Sequence, residues 1–178
     1  MTTKLRAASQ SDCSSLAALS IEVWLATYIR EGVNAVFAEY VLQEYTPARF
    51  AAILTDPDEH LFVSENVDGI DGYIRLTQGS ACPVKTGSNV EIKTLYVQSR
   101  HHGLGKGALL LSKGLAHASQ QGWPRPWLAV NSQNLNALNF YARHGFDPIG
   151  ITQFQIVDAQ YQNEVLQYSG TQTHPISA

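Results

Sequence analysis

Cysteine, charge and long apolar runs are all scarce in this chain of 178 residues. With only Cys13 and Cys82, it cannot build a disulfide framework or a multi-cysteine zinc site, and a reducing cytoplasm is expected. No apolar run reaches the roughly 18 residues of a membrane-spanning helix, and residues 1–15 lack the apolar core of a secretory signal. The 44% hydrophobic content excludes a disordered chain. We therefore expect one domain over residues 1–170 and a frayed tail over residues 171–178.

Acidic residues are absent from residues 92–146. That segment has a net charge of +6, against −6 for residues 1–91 and −3 for residues 147–178, which gives −3 overall. Its basic residues are Lys93, Arg100, Lys106, Lys113, Arg125 and Arg143. This asymmetry favours an anionic ligand at the middle segment, although chance clustering on a solvated face is an alternative. Nucleic acid is not favoured, because the whole chain is acidic and the basic residues are sparse.

Apolar periodicity and turn residues predict a mixed α/β fold centred on a sheet. Strands are predicted at residues 4–8, 60–65, 70–77, 90–97, 127–131, 146–154 and 164–168. Helices are predicted after Ser11 or Asp12, around Val36 to Val41, from Pro47, from Gly103 to Gly122, and over residues 134–144.

A glycine-rich turn between a strand and a helix is the most informative feature, in the stretch VEIKTLYVQSRHHGLGKGALL. Helix N-termini bind phosphate groups, and glycines let a ligand approach the backbone closely. A P-loop does not fit, because Gly105-Lys106 is followed by Gly107 rather than Ser or Thr. A dinucleotide fingerprint is matched by Gly103, Gly105 and Ala108, but the acidic residue expected about 20 positions later is missing. The pyrophosphate of coenzyme A is the remaining candidate, and the basic surroundings suit its extra phosphate.

Two motifs resemble those of the GNAT family of N-acetyltransferases. The segment RHHGLG, from Arg100 to Gly105, is similar to the family's Gln/Arg-x-x-Gly-x-Gly/Ala motif. About 30 residues later, LAVNSQNLNALNFYARHGF resembles the family's strand–Asn-x-x-Ala–x-x-Phe-Tyr–x-x-x-Gly-Phe block. The subtype looks most like the PaiA type of spermidine/spermine acetyltransferase. The residues that carry this likeness are Trp24 and Tyr28, the Leu95-Tyr96-Val97 strand end, and Phe154, Asp158 and Gln162.

The resemblance implies a GNAT fold, with a mostly antiparallel twisted sheet of about seven strands, splayed between strands 4 and 5, and about four flanking helices. It also implies direct acetyl transfer from acetyl-CoA to a primary amine, without a metal, by a monomer or homodimer. The residues implied to bind the cofactor are Leu95, Tyr96, Val97, Arg100, His102, Gly103, Leu104, Gly105, Lys106, Gly107, Asn134, Asn136 and Tyr141.

Catalytic roles follow from the same resemblance. Tyr141 is expected to protonate the departing thiolate, and Glu91, six residues before Val97, is the candidate base and contacts the substrate. Trp24 and Tyr28 are candidate substrate-binding residues, although their helical spacing also fits a core. Where a PaiA-like chain often has a second acid, this one has Lys93, which either repels a polycation or pairs with Glu91.

The expected acceptor is a small-molecule amine, a polyamine among the options, and neither nucleic acid nor a membrane is an expected partner. Two alternatives stay open: a non-catalytic acyl-CoA-binding module on the same fold, and an acetyltransferase of protein amino groups.

Overall fold

The computed structural model describes residues 3–29, 31–85, 87–156 and 159–170. Its helices and strands follow in chain order, with short 3-10 segments at Gln10–Asp12 and Ser99–His101. They are β1 (Lys4–Ala7), α1 (Cys13–Tyr28), α2 (Ala35–Glu44), α3 (Pro47–Ile53), β2 (Glu59–Asn66), β3 (Gly69–Gln78), β4 (Val90–Val97), α4 (Lys106–Gln120), β5 (Trp127–Asn131), α5 (Leu135–Arg143), β6 (Phe146–Ile156) and β7 (Ala159–Tyr168). No helix in this described part is long and apolar enough to cross a membrane.

The strands form a seven-stranded sheet in the order β1-β2-β3-β4-β5-β7-β6. β1 pairs antiparallel with β2, and β7 pairs antiparallel with both β5 and β6. β4 and β5 pair in parallel, with Glu91 opposite Trp127. The predicted mixed α/β class with a mostly antiparallel sheet is therefore confirmed.

The contacts divide the chain into two compact units. The first comprises residues 1–76 and 94–116, and the second comprises residues 77–93 and 117–178. The single domain expected over residues 1–170 stays a prediction, and the expected frayed tail, residues 171–178, lies outside the described residues.

The first unit is built around the apolar face of α1. Leu16 and Val23 of this helix are buried in a cluster that includes Phe50 of α3 and Tyr73 of β3. Ser20 is also buried, and its hydroxyl donates to the Leu16 carbonyl (2.6 Å) and lies 2.8 Å from the Tyr73 hydroxyl. The polar group inside this core is thus fully hydrogen-bonded, as burial requires.

The two last strands of the second unit are longer than predicted. Strands are predicted over residues 146–154 and 164–168, whereas β6 and β7 extend to the paired residues Ile156 and Ala159. The extension is rich in glutamine and largely exposed, so it carries no apolar alternation by which a sequence could show it. Asp158, in the predicted closing hairpin, lies outside the described residues.

The helix predicted from Gly103 begins three residues later, at Lys106. Gly103 and Gly105 have φ angles of 76° and 77°, in the left-handed region that a right-handed helix excludes. Leu104 between them precedes α4 and is 66% exposed, whereas the predicted helix would include it.

Substitution of Gly72 should destabilise the first unit. A Cβ atom at Gly72 would lie 2.8 Å from the Tyr96 carbonyl oxygen and 3.1 Å from side-chain carbons of Leu110 and Val97. Since a backbone oxygen cannot move cheaply, we expect Gly72→Ala to lower the free energy of unfolding by about 1–3 kcal/mol. Urea unfolding measures it, with Gly32→Ala as the control, because a Cβ at Gly32 meets nothing within 4 Å. Equal midpoints for the two variants would contradict the close approach.

Candidate active site

The glycine-rich turn before α4 presents free backbone amides. The Leu109 backbone N–H donates to the Gly105 carbonyl (3.0 Å), the first hydrogen bond of helical spacing at this end of α4. The backbone N–H groups of residues 106–108 precede it and have no acceptor within the helix. A Cβ at Gly103 or Gly105 would meet nothing within 4 Å, so the turn faces open space. Unpaired amides at a helix N-terminus, next to open glycines, fit a pyrophosphate group.

The basic side chains at this turn are already paired with acidic groups. Arg100 lies 3.0 Å from the Glu22 carboxylate, which also accepts a hydrogen bond from the Gln98 amide (2.7 Å). Lys106 does not project its ammonium group into the turn; it is buried in an ion pair with Asp71. Of the predicted phosphate-binding positions, Lys106 therefore offers its backbone amide rather than its charge.

The end of strand β4, Leu95-Tyr96-Val97, is fixed by contacts of Tyr96 with two other tyrosines and of Val97 with His102. The Tyr96 hydroxyl lies 3.3 Å from the Tyr45 hydroxyl, and its ring meets the Tyr73 ring edge-on at 5.8 Å. Burial raises the pKa of Tyr96 well above its ordinary value. His102 adds a contact between its Nε2 atom and the Val97 carbonyl (2.9 Å), which ties the turn back to the strand.

A cavity of about 270 Å³ opens in the first unit. Its lining residues are Glu44, Tyr45, Arg49, Phe50, Ala52, Ile53, Tyr73, Arg75 and Thr94. Glu44 pairs with Arg49, and Arg75 makes a two-point contact with Glu59 (2.7 and 2.5 Å). The sequence prediction missed this cavity, because its residues come from separate elements that no local spacing connects.

Trp24 and Tyr28, the predicted substrate-binding pair, lie in an aromatic cluster between α1 and α2. The Trp24 ring is 2% exposed and lies 4.6 Å from the Tyr28 ring, 5.5 Å from Phe37 and 5.0 Å from Tyr40. The geometry gives Trp24 a role in packing the two helices together, and contact of either residue with a substrate stays a prediction.

The second unit carries the predicted residues of α5. Asn134 caps this helix, because its side-chain oxygen accepts from the Ala137 backbone N–H (3.1 Å), and Asn136, the second residue of the helix, is exposed. Tyr141 is 8% exposed and packs against the rings of Phe140 and Phe146. Burial raises the pKa of Tyr141 above its ordinary value, so the hydroxyl stays protonated at neutral pH.

Glu91 is a buried carboxylate on β4, in the second unit. It accepts a hydrogen bond from the Ser80 hydroxyl (2.7 Å), and the Lys93 ammonium lies 3.2 Å away. Of the two effects expected for Lys93, the structure therefore shows pairing with Glu91. A lysine within salt-bridge distance reduces the negative charge that a cationic substrate would meet here.

Comparisons with known proteins agree with this arrangement. Residues 24–146 match the Acetyltransferase (GNAT) family. Proteins named as uncharacterized N-acetyltransferases from Mycobacterium bovis and Mycobacterium tuberculosis are 35% identical over 127 residues, which cover 71% of this chain and 77% of each relative.

Solved structures share the fold. A PaiA N-acetyltransferase from Thermoplasma acidophilum, in complex with coenzyme A, superposes with a TM-score of 0.75 at 17% identity, covering 94% of this chain and 99% of that one. A GNAT-family acetyltransferase from Streptococcus pneumoniae gives a TM-score of 0.66 at 18% identity, covering 93% and 98%. At these identities the likeness concerns the fold, and the family assignment follows from the sequence matches. This chain is a member of the acetyltransferase (GNAT) family.

Proposed function

We propose that the protein transfers the acetyl group of acetyl-CoA directly to the nitrogen of a small primary amine. The observation that carries this proposal is the open turn at the start of α4, with Gly103 and Gly105 in left-handed conformations and unpaired amides beside them. In a GNAT chain, this turn is the place for the pyrophosphate of coenzyme A. Arg100 at the entry and Asn134 and Asn136 on α5 are proposed as further contacts with the cofactor.

Acetyl-CoA supplies an acetyl thioester, whose C–S bond breaks as the amine nitrogen forms the new C–N bond. The backbone N–H groups of the Leu95–Val97 strand end would polarise the acetyl carbonyl and stabilise the negative charge that develops on its oxygen. The anchoring of Tyr96 on Tyr45 and Tyr73 supports this role, since a rigid donor needs no reorganisation during the reaction.

Tyr141 is proposed as the general acid that donates its proton to the departing sulfur. Burial raises the pKa of Tyr141 and keeps its hydroxyl protonated at neutral pH, so a proton is available when the thiolate forms. A donor that stays protonated until the thiolate forms is suited to this step.

Glu91 is proposed as the general base that removes a proton from the incoming ammonium group, since only the free amine has a lone pair to attack with. Its carboxylate is oriented by the Ser80 hydroxyl and by Lys93. Both groups contact Oε2, and Lys93 also lies 3.4 Å from Oε1, which supports a defined position of the carboxylate for proton transfer.

The acceptor is proposed to be a small amine with one positive charge rather than a polyamine. Lys93 lies beside the proposed base, and in the first unit Arg49 and Arg75 line the cavity of about 270 Å³. The carboxylates in both places are already paired, Glu91 with Lys93 and Glu44 with Arg49, so they offer little net negative charge to a polycation. A small monoamine depends less on such charge and fits the volume.

A panel of amines tests the reaction and its acceptor together. Thiol release from acetyl-CoA should be fastest with a small primary amine, and slower with spermidine or spermine by about tenfold, which corresponds to about 1.4 kcal/mol. Tertiary amines of the same size are the control. They have no N–H proton to lose, so they cannot form a neutral amide. Fastest release with spermine would contradict the acceptor assignment. Coenzyme A binding without release for any amine would favour the non-catalytic module.

Replacement of Tyr141 by Phe should lower kcat by about 10²-fold, the lower end of general acid–base effects, while the Kd for coenzyme A stays within about twofold. Tyr168→Phe is the matched control, because its ring also packs on Phe146 and it loses the same hydroxyl. Steady-state kinetics and calorimetric binding make the comparison. Equal kcat values in the two variants would remove Tyr141 from the mechanism.

Replacement of Glu91 by Gln should lower kcat by about 10²-fold at neutral pH, with partial recovery as pH rises and free amine becomes abundant. The matched control is Glu65→Gln, since Glu65 is also a strand glutamate paired with a lysine, Lys4, at 3.0 Å. A pH–rate profile for both variants supplies the measurement. A Glu91→Gln profile that coincides with that of the wild type would exclude Glu91 as the base.

A further inference from the structure

A buried ion pair joins the first residue of α4 to the middle of the first unit. Lys106 is 8% exposed and Asp71 of β3 is 1% exposed, and the Lys106 ammonium group contacts the Asp71 carboxylate. The two residues are 35 positions apart in the chain. A lysine in a basic, phosphate-binding turn is expected to face the ligand, so its burial on a carboxylate requires an explanation.

The carboxylate of Asp71 is fully engaged. Its Oδ1 accepts from the Ser64 hydroxyl (2.6 Å), and its Oδ2 accepts from the Asn66 side-chain amide (3.0 Å) as well as from Lys106. Burial opposes ionisation of Asp71, but the hydrogen bonds from Lys106 and Ser64 outweigh it and hold its pKa below the ordinary value. The charged form is therefore the one built into the fold.

The same pair connects the elements that shape the turn. The backbone carbonyl of Asp71 accepts a hydrogen bond from the backbone N–H of Gln98 (3.0 Å). Gln98 directly follows β4. Lys106 directly follows Gly105, the last left-handed residue of the turn. Asp71 thus holds the chain just before the turn through its backbone and just after it through its side chain.

We propose that Asp71 and Lys106 are positioning residues that hold the Gly103–Lys106 turn in the shape that receives the pyrophosphate. The Lys106 ammonium group pairs with Asp71 and does not contact the phosphates. This inference rests on the proposed function. It makes the backbone amides, and not the lysine ammonium, the phosphate donors at this position. The turn on its own has two glycines and few side-chain contacts, so it needs an anchor at its end.

The two single variants Asp71→Asn and Lys106→Met distinguish positioning from direct contact. If the pair positions the turn, both should raise the Kd for coenzyme A by at least about tenfold, and the double variant should be no worse than either single one, since each removes the same interaction. Lys106→Arg should restore the Kd to within about threefold of the wild type. Lys113→Met, which removes a charge elsewhere on α4, should leave the Kd unchanged.

Acetyl-pantetheine as the acetyl donor distinguishes a positioning role from a general loss of structure, because a general loss of structure would lower activity with this donor too. It lacks the pyrophosphate, so kcat/KM with this donor should be the same in the variants as in the wild type, while kcat/KM with acetyl-CoA falls. Should a single variant fail to fold, Asp71→Leu with Lys106→Met replaces the pair by apolar groups, which is often tolerated. That double variant should show the same raised Kd.

Several results would overturn the inference. Unchanged or tighter coenzyme A binding in Asp71→Asn, with weaker binding in Lys106→Met, would mean that Lys106 contacts the phosphates directly. Equal losses with acetyl-pantetheine and acetyl-CoA would reduce the pair to a stabilising role. Wild-type protein that binds no coenzyme A, or a Gly105→Glu variant that binds it as well as the wild type, would instead overturn the proposed function and this inference together.

Discussion

The close approach of β3 to β4 and α4 is the constraint on which the rest of the first unit depends. Gly72 has no room for a side chain, because the Tyr96 carbonyl and the side chains of Leu110 and Val97 surround the space where a Cβ would lie. Residues on either side of this contact hold neighbouring elements: Asp71 pairs with Lys106 at the start of α4, and the Tyr73 ring contacts the Tyr96 ring. The position of the glycine-rich turn therefore depends on how closely β3 packs against β4 and α4.

The charge pattern favours an anionic ligand at the middle segment, but the structure shows that much of this positive charge is already paired. The basic segment was read as a field for an anion, yet Arg100 pairs with Glu22, Lys106 with Asp71, and Lys93 with Glu91. Acidic residues outside the segment thus neutralise three of its six positive charges. Under the proposed function, anion binding at the turn depends chiefly on oriented backbone amides, which the glycines indicate in the sequence and a count of charges does not.

Features that depend on residues close together in the chain could be predicted from the sequence, and features that depend on tertiary contacts could not. The glycine-rich turn and the helix that carries Asn134 and Tyr141 are encoded by short spacings, and the structure has both, with Asn134 as the helix cap. The start of α4 was placed three residues too early, because helix propensity says nothing of a left-handed Gly105. Asp71 and Lys106 are 35 positions apart, so no local sequence pattern indicates that they pair, and only the folded structure shows it.

The buried tyrosines limit which groups can serve as the base. Burial raises the pKa of Tyr73 to about 12, and it also raises the pKa values of Tyr96 and Tyr141 above their ordinary value. Hydroxyl groups of this kind donate protons at neutral pH and do not remove one from an ammonium group, whose ordinary pKa is about 10. Proton removal therefore has to involve a carboxylate or solvent. The family resemblance implies Glu91 as this carboxylate, so the proposed roles of Tyr141 as acid and Glu91 as base are consistent with the environments of the tyrosines.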